Sequence, residues 1–218
     1  MFKRENLRTT IPLLVCLFLI IFMFIYYFNK SRITYVYQES TDSYYVDKAY
    51  GNSKSYTIPK TYNDKKVTGI SVRAFYDHSN LEEVIFEDPE SIVIVERLSF
   101  SKCPKLKNVD LRYVKTIERN AFSYDDTLNN IETSAKDIGA SAFYKCIGLK
   151  NVILNEGVES IGELAFSYTS ISHLKLPKSM RTVYNNAFEY LDTLEELRVY
   201  YQFNSAYLKS LPAYVSYN

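Results

Sequence analysis

The stretch IGASAFYKCIGLKNVIL, running from Ile138 to Leu154, states a phrase that this chain repeats. Its first half sets a β-branched apolar residue four positions ahead of an Ala-Phe pair. The same half is written at Ile70…Ala74-Phe75, Val95…Ser99-Phe100, Ile117…Ala121-Phe122, Ile161…Ala165-Phe166 and Val183…Ala187-Phe188. Successive phenylalanines lie 25, 22, 21, 23 and 22 residues apart. A fixed period of this size belongs to stacked supersecondary units and to no lone helix or strand.

The second half follows in register. Six residues after Phe stand Leu81, Leu106, Leu128, Leu149 and Leu194; three further on are Val84, Val109, Ile131, Val152 and Leu197; two more bring Phe86, Leu111, Thr133, Leu154 and Val199. The fifth copy fits after one deletion, with Ile171, Leu174 and Leu176. In L-x-x-V-x-L the last two apolar positions share one face of a short strand, because strand side chains alternate. The Ala-Phe pair, the small residue three after Phe at Cys103 and Cys146, and the strand followed by Pro in Leu176-Pro177 together resemble the BspA-like leucine-rich repeat family. The resemblance covers residues 33 to 200, with departures at Leu98-Ser99, at Thr133 and in the shortened fifth copy. It implies a β-rich solenoid of short strands and irregular or short helical turns, with six repeats of about 22 residues over 67–200.

Each coil is too small to bury its own apolar face, but six stacked coils share one continuous core. The 218 residues are 47% hydrophobic and 23% charged, with 21 Tyr, 13 Phe and no Trp. Tyrosine suits binding surfaces, offering a rigid face and a polar tip; compositional drift shared with Lys, Asn and Ile is the competing explanation.

Residues 11–28, IPLLVCLFLIIFMFIYYF, lie inside an uncharged run from Thr9 to Asn29. As a helix they would extend about 27 Å, close to a hydrocarbon core of roughly 30 Å. Lys3, Arg4 and Arg8 precede the run, and Lys30 and Arg32 follow it. The expectation is a single-pass signal anchor over 11–28, with 1–10 cytoplasmic and the repeats extracellular. Cleavage is disfavoured because the run ends in bulky Tyr26-Tyr27-Phe28. Residues 29–66 then read as a juxtamembrane segment and N-terminal β cap, in which Ile33–Tyr37 and Tyr44–Val46 flank a polar turn as a hairpin. Residues 201–218 are expected to form a C-terminal cap or tail.

Cys103 and Cys146 fall two coils apart. At about 4.8 Å per coil this is roughly 10 Å, beyond the reach of a disulfide, so two free buried thiols are expected. No phosphate-loop, dinucleotide, zinc-protease, nucleophile-elbow or C-x-x-C pattern occurs. His78 and His173 are too far apart to share a zinc ion, and the pairs Glu82-Glu83, Glu87-Asp88, Asp125-Asp126 and Glu195-Glu196 read as solvated. Neither a cofactor, a metal nor a catalytic residue is expected. Setting aside Lys3, Arg4, Arg8, Lys30, Arg32 and Glu5 leaves 21 basic against 24 acidic residues, with no electrostatic footprint for nucleic acid.

What remains is the outward face of the strands. One row is Glu83, Asn108, Asn130, Asn151, His173 and Glu196; beside it run Ile85, Asp110, Glu132, Ile153, Lys175 and Arg198. Stacked, they form a face of about 25 Å of the kind solenoids use for binding. The Asn row could equally hydrogen-bond to itself. The resemblance implies an adhesive or interaction module meeting a protein on another cell, a host or the envelope. A structural envelope protein without a discrete ligand is the alternative.

Overall fold

The computed structural model of the chain describes residues 15–20, 32–184, 186–199 and 215–217. The chain opens with an antiparallel pair, β1 (Arg32–Gln38) and β2 (Ser43–Tyr50), turned by a single 3-10 turn at Glu39–Thr41 and by Asp42 in the left-handed region. Next come β3 (Ser55–Ile58), then β4 (Thr61–Tyr62) and β5 (Lys65–Ile70). Between β4 and β5 the two turn residues Asn63 and Asp64 both have positive φ, as a tight two-residue hairpin requires.

From β6 (Glu83–Phe86) onward the coil is regular. The first half of each phrase supplies a two-residue strand: β7 (Ile94–Val95), β8 (Thr116–Ile117), β10 (Asp137–Ile138), β12 (Ser160–Ile161) and β14 (Thr182–Val183). The second half supplies β9 (Asn130–Thr133), β11 (Asn151–Leu154), β13 (His173–Lys175) and β15 (Glu196–Val199). A last strand, β16 (Val215–Tyr217), pairs in parallel with β15. The short strands form one parallel ladder in the order β2-β5-β7-β8-β10-β12-β14, seven rungs of a β-solenoid. The long strands stack as β3-β6, β9-β11 and β13-β15-β16. Isolated bridges Glu83↔Asn108 and Leu111↔Thr133 carry the second coil across the gap between β6 and β9.

Between the two ladders the Phe column holds the coils together. Phe75, Phe100, Phe122, Phe143, Phe166 and Phe188 stack nearly parallel, with centroids 5.0, 5.0, 5.2, 5.3 and 5.8 Å apart, and Tyr56 closes the N-terminal end edge-on against Phe75. The small residue before each Phe, Ser99 in the second copy and Ala in the others, is buried, and its carbonyl reaches the neighbouring coil: Phe75 N–H donates to Ser99 at 2.7 Å, and Phe100 to Ala121, Phe122 to Ala142 and Phe143 to Ala165, each at 2.8 Å. The turn that permits this puts two residues per coil in the left-handed region. Asn120 and Tyr124, Ser141 and Lys145, and Leu164 and Tyr168 are examples. Each such residue costs about 1–2 kcal/mol. The recurring coil-to-coil hydrogen bonds hold the turn in place against that strain.

Three sequence expectations change here. The anchor with a cytoplasmic N-terminus and extracellular repeats fails: residues 15–20 are helical, and among the described residues no helix is long and apolar enough to cross a membrane. Segment 1–10 and the rest of 11–28 lie outside the described residues. The first rung begins earlier than the Ala-Phe phrase, in β2, where Val46 and Ala49 are buried and Ala49 N–H donates to Ala74. Asp125 is fully buried rather than solvated. It occupies the same column as Cys103 and Cys146, whose thiols are free and donate to the carbonyls of Phe75 and Phe122. Of the expected C-terminal cap, 201–214 and 218 lie outside the described residues.

Candidate functional site

The long strands alternate as the period of two demands. Val84, Phe86, Val109, Leu111, Ile131, Thr133, Val152, Leu154, Leu174, Leu176, Leu197 and Val199 are buried. All twelve alternating residues point the other way: Asp110 and Glu196 are half-buried and the rest exposed. Cross-strand register aligns them as Asn130↔Asn151, Glu132↔Ile153, His173↔Glu196 and Lys175↔Arg198. Parallel pairing also adds a rung that sequence periodicity missed, since Ser55 lies beside Glu83 and Thr57 beside Ile85. Nothing in Ser55–Ile58 signals this, because that strand is not preceded by an Ala-Phe pair.

Side-chain contacts divide the face. Asn151 donates to Asn130 at 2.6 Å, so part of the Asn row is internally satisfied, and Asn155 donates to Glu132 at 3.0 Å. Near the N-terminal end, Glu83, Ile85, Asn108, Asp110, Asn130 and Glu132 border a depression of about 420 Å³ that also includes Pro89 and Arg112. Arg112 donates to both oxygens of Asp110 and holds that carboxyl below its usual range. Extending the outward period by two from Asp110 would have found it. Ile85 remains 43% exposed beside these carboxylates. Near the C-terminal end, His173, Lys175, Glu196 and Arg198 line a smaller hollow of about 280 Å³. There Ser172 Oγ lies 2.9 Å from His173 Nδ1, and Arg198 pairs with Glu196 at 2.8 Å.

The face is therefore acidic at one end, with three carboxylates and one guanidinium, and mixed at the other, where Lys175 and Arg198 stand with Glu196 and Glu195 lies 3.7 Å from His173. Between them β11 and β13 share no assigned ladder pairing. The deletion in the fifth copy falls there, between Phe166 and Ile171. His78, by contrast, is buried off this face, its Nε2 3.0 Å from the Tyr56 hydroxyl. Burial pushes its pKa down, with a lesser contribution from Lys48. Among the described residues no group of three or more His, Cys, Asp or Glu could hold a metal ion.

Comparisons with known proteins agree with this geometry. Residues 46–136 and 115–211 match the BspA type Leucine rich repeat region, in six copies. No curated protein matches the sequence. Among solved structures, a leucine rich cell surface protein from Faecalibacterium prausnitzii is 20% identical with a TM-score of 0.62, over 77% of this chain and 54% of that one. The T. pallidum leucine rich repeat protein is 22% identical, TM-score 0.53, over 77% and 68%. The pneumococcal vaccine antigen PcpA is 24% identical, TM-score 0.55, over 78% and 48%. The chain thus spans about half the length of two of these three, and the likeness is one of fold.

Proposed function

This chain belongs to the BspA-type leucine-rich repeat family, and on that premise we propose that it is a protein-interaction or adhesion module that meets a protein ligand through the outward face of its long strands. The observation that carries this reading is the N-terminal depression, where exposed Ile85 sits among Glu83, Asp110 and Glu132. An apolar side chain left uncovered there contributes nothing to folding, whereas interface centres combine such anchors with a polar rim. The likeness in fold to a leucine rich cell surface protein from Faecalibacterium prausnitzii supports a contact role of this kind. The carboxylates at the N-terminal end of the face favour a ligand that brings basic groups there.

Replacing Ile85 and Ile153 together by Asp tests the reading. The variant should keep the wild-type melting curve and lose attachment to surfaces or partners that the wild type retains. Undiminished attachment with an intact fold refutes the assignment of this face.

A further inference from the structure

The tyrosine excess lies mostly elsewhere. Residues one and two positions after each stacked Phe form a second column on the outer turn: Tyr76, Lys102, Tyr124, Tyr144 with Lys145, Tyr168 and Tyr190. Tyr124 and Tyr144 are 5.7 Å apart and edge-on, as are Tyr144 and Tyr168 at 5.5 Å, and Tyr168 stacks on Tyr190 at 4.5 Å. Lys145 Nζ stands 5.4, 5.6 and 5.5 Å from the ring centres of Tyr124, Tyr144 and Tyr168, while Lys102 Nζ is 5.6 Å from that of Tyr76. Lys102, Tyr124, Lys145, Tyr168 and Tyr190 are all in the left-handed region. Tyr124, Tyr168 and Tyr190 stay exposed.

The charge on this ridge is only lightly answered: the Tyr76 hydroxyl and, from the adjacent coil, the Asp77 carboxylate act on Lys102. Lys54, Lys60, Lys65, Lys107 and Lys136 pair with carboxylates, but among the described residues neither Lys102 nor Lys145 forms an ion pair. Asp77 and Glu189 occupy the column only in its first and last coils; the four coils between carry Ser, Tyr and Lys at these two positions. Two cations thus recur in alternate coils, roughly 10 Å apart at about 4.8 Å per coil. An extended β-strand ligand would not match them, since residues three apart face opposite ways. A polyproline II helix does: three residues per turn at about 3.1 Å each bring every third side chain to one face, roughly 9 Å apart. Aromatic-lined surfaces are also the usual receptors of that conformation.

We propose that this ridge binds an acidic, proline-rich segment of a partner protein in the polyproline II conformation. Carboxylates three residues apart meet Lys102 and Lys145, and the intervening prolines lie against Tyr124 and Tyr144. This surface is separate from the strand face, so the two assignments fail independently.

The test is fluorescence anisotropy of the full chain with a labelled four-repeat Glu-Pro-Pro peptide. Its comparators are four-repeat Ser-Pro-Pro, Lys-Pro-Pro and Glu-Gly-Gly peptides and a sulfated oligosaccharide. The Glu-Pro-Pro peptide should bind best, and its binding should weaken as salt rises to about 0.3 M. Lys102→Gln with Lys145→Gln should weaken it about tenfold or more, and Tyr144→Ala by about the same factor, as for an interface anchor. Lys115→Glu with Lys150→Glu, and the Ile85 and Ile153 double variant, should leave it within twofold. The proposal is overturned if the control substitutions weaken binding as much as those on the ridge. It is equally overturned if the Ser-Pro-Pro or Glu-Gly-Gly peptide binds as well, or if only the sulfated oligosaccharide binds.

Discussion

Replacing Asp125 by Asn should stabilise the protein at neutral pH and leave it nearly unchanged in acid. Asp125 is fully buried in the column that holds His78, Cys103, Cys146, Thr169 and Leu191. Its Oδ1 accepts the Cys103 N–H at 2.8 Å, but Oδ2 has no partner. Burial pushes the carboxyl pKa well up, the Cys103 amide pulls it partly back, and neighbouring Asp126 raises it further. The folded protein therefore keeps this proton at pH values where the unfolded chain has released it. Stability from this group is fully present below an unfolded pKa of about 3.9 and is lost as pH rises toward the folded value, at up to about 1.4 kcal/mol per pH unit. Asn cannot ionise, and its carbonyl can still accept the Cys103 amide. Urea unfolding of wild type and variant at successive pH values from 4 to 8 gives the difference directly. The variant's advantage should start near zero, grow with that slope and level off. Glu82, held at about 2 by hydrogen bonds from Lys107 and Lys54, loses its contribution in the opposite direction, as pH falls, and cancels in the comparison. A difference that is flat with pH would refute the buried, neutral carboxyl.

Three further substitutions probe the stack. Phe122→Ala, which strips a ring packed on both sides by Phe100 and Phe143, should cost about 3–5 kcal/mol. Phe188→Ala, where among the described residues the ring stacks on Phe166 alone at 5.8 Å, should cost less, as read by chemical denaturation; equal costs would contradict a continuous column. Gly162→Ala would bring a Cβ to 2.6 Å from the Ala140 nitrogen and 2.9 Å from its Cα, backbone that cannot swing aside. Forcing the fourth and fifth coils apart should destabilise by about 1–3 kcal/mol, and an unchanged thermal midpoint would count against that packing.

The inward and outward sets of the long strands were legible because a period of two leaves no choice once Leu, Val and Leu are committed inward. His173 and Arg198 could be placed on one face before any coordinates. Two features escaped that logic. Asp125 reads as an ordinary turn acid, and only its column position, where other coils carry Cys, hinted that it is enclosed. The residues flanking each Phe read as irregular turn because Lys, Tyr and Leu carry no left-handed signature. Hydrogen bonds from the adjacent coil impose that conformation, and they are invisible to local propensity.

Amphipathic spacing is local chemistry, so the sequence by itself determined the repeat, its register, the Phe column, the free thiols and the outward residues of the strands. Only the tertiary structure decided where the stack begins, since β2 and β3 become rungs by pairing with β5 and β6 and not by any phrase of their own. It also decided which charges are answered. Lys107 and Lys145 are alike in sequence, yet neighbouring coils bring a carboxylate to one and three aromatic rings to the other. Contacts between coils join residues about 22 positions apart, a distance at which composition says nothing and geometry says everything.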